Sequence, residues 1–201
     1  MAFWSDSFQG TTAPADPKRK FRFKVTITGI SQTATDQIIF YAKTTAKPSF
    51  TINAAEHKYL NHTFYYPGSI TWNEIAMTFV DPGDTKYDAA ANFSALIQKG
   101  GYHPPSSQTD LATMSKGTAV GAIGSVLIEQ INAAGATTEK WTLWNAFISD
   151  LKYGDLAYGE DDLTELSVTF RYDWAQVSGL KASTVESATG TEFFTAGGAT
   201  T

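Results

Sequence analysis

LTELSVTFRYDW, residues 163–174, alternates almost without a break. Leu166, Val168, Phe170, Tyr172 and Trp174 fall on one side of a two-residue repeat. Glu165, Ser167, Thr169, Arg171 and Asp173 fall on the other. Such alternation, in a run rich in β-branched and aromatic residues, predicts a strand with one face against a core. Burying each of the large apolar side chains is worth about 1.5–3 kcal/mol. Ordering the backbone costs about 1–2 kcal/mol per residue. The two sums nearly cancel, so the strand needs partners that the rest of the chain must supply. No catalytic motif lies on it.

The partners are visible on both sides. Immediately upstream, residues 139–150 read as one strand, with Trp141, Leu143, Asn145, Phe147 and Ser149 opposed to Thr142, Trp144, Ala146 and Ile148. Residues 124–132 form another, and an acidic loop, 154–162, joins this module to the opening stretch. Residues 69–80 are predicted to be one strong strand, with Ile70, Trp72, Ala76, Thr78 and Val80 on one face and Thr71, Asn73, Ile75, Met77 and Phe79 on the other, stopped by Asp81-Pro82-Gly83-Asp84. A helix follows, with Asp84 as its expected N-cap and Gly100-Gly101 as its end. Ala89, Ala90, Phe93, Leu96 and Ile97 make its apolar stripe, fit to lie on a sheet as a lid. Residues 102–117 read as a polar loop. Nearer the start, strands are expected from Phe21, at 37–43 and at 50–53, followed by a hairpin or long loop at 56–68 rich in tyrosine. The fold class is mainly β, a sandwich or barrel with one flanking α-helix. Residues 1–17 read as an arm, 18–177 as the folded domain, and the Gly-, Ala-, Thr- and Ser-rich residues 178–201 as an extended or disordered tail.

Composition narrows the function. Of 201 residues, 42% are hydrophobic and 13% aromatic, enough for a real core, but only 17% are charged, below the usual quarter. A low-charge sheet protein suits faces that are not all left to water. A net charge of −5 argues against gripping nucleic acid with the whole surface. The absence of cysteine removes disulfides, cysteine–zinc sites and thiol chemistry. The opening residues do not have the pattern of a secretory signal. The longest apolar run, 119–128, is far short of the ~20 residues of a spanning helix.

Candidate chemistry is thin. His57 and His62 lie five apart without an acid between them, and His103 is distant. A metal site needs a third matched ligand, so surface histidines are the better reading. Asp155 with Glu160, Asp161 and Asp162 lacks the alternating spacing of a calcium loop. No GxSxG elbow occurs. Lys18, Arg19, Lys20, Arg22 and Lys24 crowd into a short basic segment. It could bind phosphate, guard a sheet edge, or meet an acidic loop such as 160–162 on a neighbouring copy. Trp72, Trp141, Trp144, Tyr172 and Trp174 could line a sugar-binding face, although such residues are more often core or interface anchors. No catalytic, cofactor or metal residue is assigned.

One ordered set of segments is familiar. It runs from a Phe-rich first strand through IIFYAKTTAKPSF (38–50), a loop, SITWNEIAMTFVD (69–81) and a helix ending in a glycine pair. It closes with WTLWNAFISDLKYGDLAYGEDDLTELSVTFRYDW (141–174). Over about residues 20–177 this resembles the tail tube proteins of contractile-tailed bacteriophages, related in fold to the tubes of type VI secretion and tailocins. The resemblance implies two packed antiparallel sheets and no catalysis. It implies stacked, hexameric rings around a channel that passes phage DNA without sequence-specific binding. The partners would be further copies, the sheath, and the baseplate and tail-terminator proteins, in the virion tail and, during assembly, in host cytoplasm. The segment after the third strand would touch the next ring, which by position assigns Tyr59, Phe64, Tyr65 and Tyr66 to an interface. Lys18, Arg19 and Lys20 opposite Glu160, Asp161 and Asp162 complete the candidate inter-subunit set. A baseplate tube component of the same fold is an alternative. A carbohydrate-binding sandwich is a lesser one.

Overall fold

The computed structural model of the chain describes residues 17–30, 41–83, 88–106, 111, 113–159 and 161–179. In chain order the elements are β1 (Phe23–Ile27), β2 (Ala42–Thr45), β3 (Phe50–Tyr59), β4 (His62–Trp72), β5 (Ile75–Val80), α1 (Ala89–Lys99), α2 (Lys116–Ile123), β6 (Val126–Ile131), β7 (Thr137–Trp144), β8 (Phe147–Lys152), β9 (Glu165–Arg171) and β10 (Trp174–Ser178). Strands β1-β6-β7-β10 form one four-stranded sheet, β2-β5-β9-β8 a second, and β3-β4 a two-stranded sheet of their own. Every pairing is antiparallel. Among the described residues neither four-stranded sheet closes on itself, so the arrangement is an open sandwich and no closed barrel.

The alternation of β9 is realised as read. Leu166, Val168 and Phe170 are buried, and so is Tyr172 just beyond. In register with them, Ile75, Met77 and Phe79 of β5 are buried too. Val25, Ile27, Val126, Ile128 and Leu143 supply the facing layer from the other sheet. Helix α1 seats Ala89, Phe93 and Leu96 in this core, with the Phe93 ring 5.3 Å from that of Phe79. Gly29 lets the end of β1 touch α2: a Cβ there would lie 2.0 Å from the Ala122 carbonyl oxygen.

The two long strands of the closing module each break at one corner. Residues 139–150 do not make one strand. β7 lies in the first sheet and β8 in the second, and Asn145 between them has φ +55°. That left-handed residue shifts the phase of the alternation. Inward positions run Glu139, Trp141, Leu143 and then Ala146. Directly opposite, β9 gives way to β10 at Tyr172-Asp173, and the Asp173 amide donates to the Trp144 carbonyl at 3.1 Å. The phase shifts here as well, so Trp174 turns outward, 47% exposed, and does not share the buried face with Tyr172. A pair of strands thus passes from one sheet to the other as a unit.

Other expectations are corrected. The stretch 69–80 is broken at Asn73-Glu74, because the Asn73 amide and side chain turn to Ser49, at 2.9 and 3.0 Å. The helix N-cap is Asp88, whose carboxylate accepts from the Ala91 amide at 2.8 Å; Asp84 lies outside the described residues. The region expected to be loop up to residue 117, and the apolar run after it, contain α2. Ser115 and Thr118 cap its start reciprocally. The strand expected at 37–43 is described only from residue 41 and runs to Thr45. Residues 1–16 and 180–201, the bulk of the expected arm and tail, lie outside the described residues.

Candidate assembly surfaces

The expected loop at 56–68 is part of a long hairpin, β3-β4, that pairs with neither sheet. Its register puts Phe50 opposite Trp72, Ile52 opposite Ile70, Glu56 opposite Tyr65, His57 opposite Phe64 and Tyr59 opposite His62. The pairing slips between Ile52 and Ala54, where Pro67 and Gly68 stand on β4, residue types a bulge or edge tolerates. Every residue of β3 is exposed, and on β4 only Phe64 and Trp72 are partly covered. The root is fastened by aromatic contacts: Phe50 lies edge-on to Trp72 at 5.1 Å, and Trp72 lies 5.9 Å from buried Tyr172. Burial pushes the Tyr172 phenol up, with the Ser49 backbone acting against that shift. At the tip, Leu60 is 86% exposed and held at φ +53°. A hairpin turn normally gives such a position to glycine.

Of the candidate interface residues, Tyr59, Phe64, Tyr65 and Tyr66 are all on this hairpin. Tyr65 shares one face with Glu56, while Tyr59, Phe64 and Tyr66 lie on the other with His57 and His62. His103 is on a separate exposed segment. Among the described residues, no group of three His, Cys, Asp or Glu side chains is placed to hold a metal ion.

The basic segment is partly consumed within the chain. Glu139, on the inward side of β7, is 5% exposed. Lys18 pairs with one of its oxygens. The other accepts from Lys47 Nζ at 2.8 Å and from Trp141 Nε1 at 2.5 Å. Burial alone would push this carboxyl up, but the three donors outweigh it and bring it down to about 2. Lys47 also reaches Gln130 Oε1 at 2.7 Å, and Gln130 Nε2 donates to the Arg19 carbonyl at 3.2 Å. Lys24 pairs with Glu129 at 3.0 Å. Glu139 escaped the sequence reading, yet a signal existed: it sits in phase with Trp141 and Leu143, a charge on an apolar face. On the opposite loop Asp161 and Asp162 are exposed, and Glu160 lies outside the described residues. Tyr158, Leu156 and Leu163 around them are exposed as well. Lys43 reaches into this region to pair with Glu165, which holds its ammonium above the usual lysine range.

The five aromatics considered as a sugar face are dispersed. Trp72 and Tyr172 meet at the hairpin root, Trp141 turns to Glu139, and Trp144 and Trp174 stack on each other at the corner, 6.3 Å apart. Lys116 braces that corner through Asp173 at 2.6 Å, and Asn145 Nδ2 donates to the same carboxylate at 2.8 Å. These partners, Lys116 foremost, hold the Asp173 carboxyl below its usual range.

No protein-family model and no curated relative matches the sequence. Solved structures do. A chain of the PVC sheath/tube terminator of an extracellular contractile injection system, in the extended state, superposes with a TM-score of 0.59 at 18% identity, over 83% of this chain and 99% of that one. A chain of the anti-feeding prophage cap, a tube-terminating cap, gives 0.59 at 16% identity over 89% and 99%. A chain of the anti-feeding prophage baseplate, 6-fold symmetrised, gives 0.56 at 14% over 86% and 100%. The fold of this chain is therefore one found in chains of these contractile injection particles.

Proposed function

We propose that this chain is a structural subunit of a contractile tail tube, joining further copies edge to edge in rings that stack around a channel. The observation that carries the reading is the β3-β4 hairpin. An isolated two-stranded hairpin is marginal in water at best, yet this one exposes Phe50, Ile52, Tyr59, Leu60, Tyr65, Tyr66 and Ile70. An exposed apolar area of that extent marks a surface meant to be covered. Leu60 strengthens the case, since an L-residue in the left-handed region costs about 1–2 kcal/mol and gains no burial in return here. A next ring supplies what the single chain lacks. Among the described residues β10, β2 and β8 stand at sheet edges, and ring closure would extend those edges with strands of a neighbouring copy.

In its specific form the proposal is a phage tail tube of hexameric rings, bound by sheath, baseplate and terminator, through which DNA passes without sequence-specific contacts. Its place is the virion, after assembly in host cytoplasm. The fold is found in baseplate and cap structures too, so a baseplate tube component is the second reading. Negative-stain electron microscopy with sedimentation velocity on the purified chain tests both. Rings or hollow rods support the tube. Short single rings that extend only on a baseplate support the second. A chain that remains monomeric at high concentration, even with a preformed tube end to add to, overturns both.

A further inference from the structure

The two sheets part at one end of the sandwich and leave a cleft of about 610 Å³ between β1, β6 and β7 on one side and β2 on the other. Its walls are apolar, with Phe23, Ile128 and Trp141 at depth and Phe21 at the rim. Phe21 is 74% exposed, with the Arg22 guanidinium 5.4 Å from its ring centre. Lys20, Lys43 and Lys47 border the opening. Lys43 and Lys47 are paired to Glu165 and Glu139, whereas Lys20 has no partner among the described residues. A volume in the range of ligand pockets, lined by two aromatic rings and a branched aliphatic, is poorly left to water.

We infer that residues 1–16 of the same chain fill this cleft, seating Phe3, Trp4 and Phe8 between the parted sheets. Position is the first argument. The segment meets the described fold at Pro17, and the next residues are fastened across the cleft's rim. Lys18 is held on Glu139, the Arg19 carbonyl accepts from Gln130, and the Arg22 amide turns back to the Arg19 carbonyl at 3.2 Å. Reach is the second. From Pro17, nine residues extended at about 3.3 Å each carry Phe8 roughly 30 Å, ample for a cleft whose lip is formed by Lys20 and Phe21. Charge is the third. Residues 1–16, MAFWSDSFQGTTAPAD, contain two aspartates and no lysine or arginine, and the rim carries three lysines. Asp6 stands between Trp4 and Phe8 in sequence, so the acidic charge lies within the apolar part of the segment. The seating is within one chain and does not depend on assembly.

Disulfide trapping tests this directly, because the chain has no cysteine of its own. In the full chain, Ser5→Cys is combined with Thr45→Cys in the cleft, or with Thr142→Cys on the outer face of the β7 sheet. The bond to position 45 is expected to form about tenfold faster than that to 142, at monomer mass on a non-reducing gel. Replacing Phe3, Trp4 and Phe8 by Ser should abolish the preference. Equal rates overturn the inference, and so does a 5–45 bond found only between chains, which would place a neighbour's segment in the cleft. Hydrogen exchange gives an independent reading. Deleting 1–16 should speed exchange in 128–131 by about tenfold, while deleting 180–201 should not. Acceleration by the second deletion alone would assign the cleft to the other end of the chain.

Discussion

The sandwich and the hairpin are built from the same two-residue alternation and end in opposite states. In β9 and β5 one face is apolar throughout and vanishes into the core. In β3 and β4 aromatic and aliphatic residues appear on both faces, and neither face is covered. A strand pattern supplies the conformation, and segregation of the two faces supplies burial. The hairpin is fastened at its root by ladder hydrogen bonds and the Phe50–Trp72–Tyr172 contacts, while most of its apolar side chains stay exposed. The sandwich buries its apolar faces within the chain, whereas the hairpin leaves an apolar surface exposed, which on the proposed reading a next ring covers.

That contrast can be broken at measurable points. Phe170→Ala should cost about 3–5 kcal/mol of monomer stability, read in urea melts, because it empties the centre of the core. A change near zero would mean that the sandwich is no better packed than the hairpin. Glu139→Gln should cost about 1.5–3 kcal/mol, the lysines being half-exposed and partly compensated by water. The sign with pH follows from a folded-state pKa of about 2, depressed from 4.5. The carboxylate's contribution is fully present above about pH 4.5 and is lost as pH falls through about 2. Melts of the native chain and Glu139→Gln should therefore converge in strong acid and separate at neutral pH.

Asn145→Ala should cost about 1–2 kcal/mol, combining an unfavourable left-handed alanine with the lost bond to Asp173. Asn145→Gly should recover the backbone share of that loss, which separates conformation from hydrogen bonding at the corner. Smallest are the hairpin changes. Tyr65→Ser with Tyr66→Ser should move monomer stability by less than about 0.5 kcal/mol, and Leu60→Gly should be neutral or slightly stabilising. Both should shorten or loosen assembled tubes, seen by electron microscopy and by resistance to salt. A hairpin variant that unfolds the monomer would show that the hairpin belongs to the core after all.

Much of the fold was legible because the determinants are local. The inward residues of β9 and β5, the apolar stripe of α1 and its glycine stop could all be read from spacing. α2 was legible in principle from Ser115 and Thr118, but its run of small residues, KGTAVGAI, carries little helical amphipathicity to betray it. The hairpin was half legible: residues 56–68 read as a hairpin or long loop, but the length of β3 and β4 did not show, since a strand exposed on both faces has no buried side to announce it. Glu139 was passed over because an inward charge is informative only once its donors, from residues 18, 47 and 141, are brought to it.

Alternation and capping act over a few residues, so most of the extended backbone and the side chains that share a face between two corners are written locally. Which sheet each strand joins was decided only in three dimensions. Residues 139–150 and 163–174 each look continuous, yet both cross from one sheet to the other at Asn145 and Tyr172-Asp173. The crossing is a joint property of two distant strands, held by Asp173 between Asn145 and Lys116. No window of sequence contains that choice, because its energy lies in contacts between residues far apart along the chain.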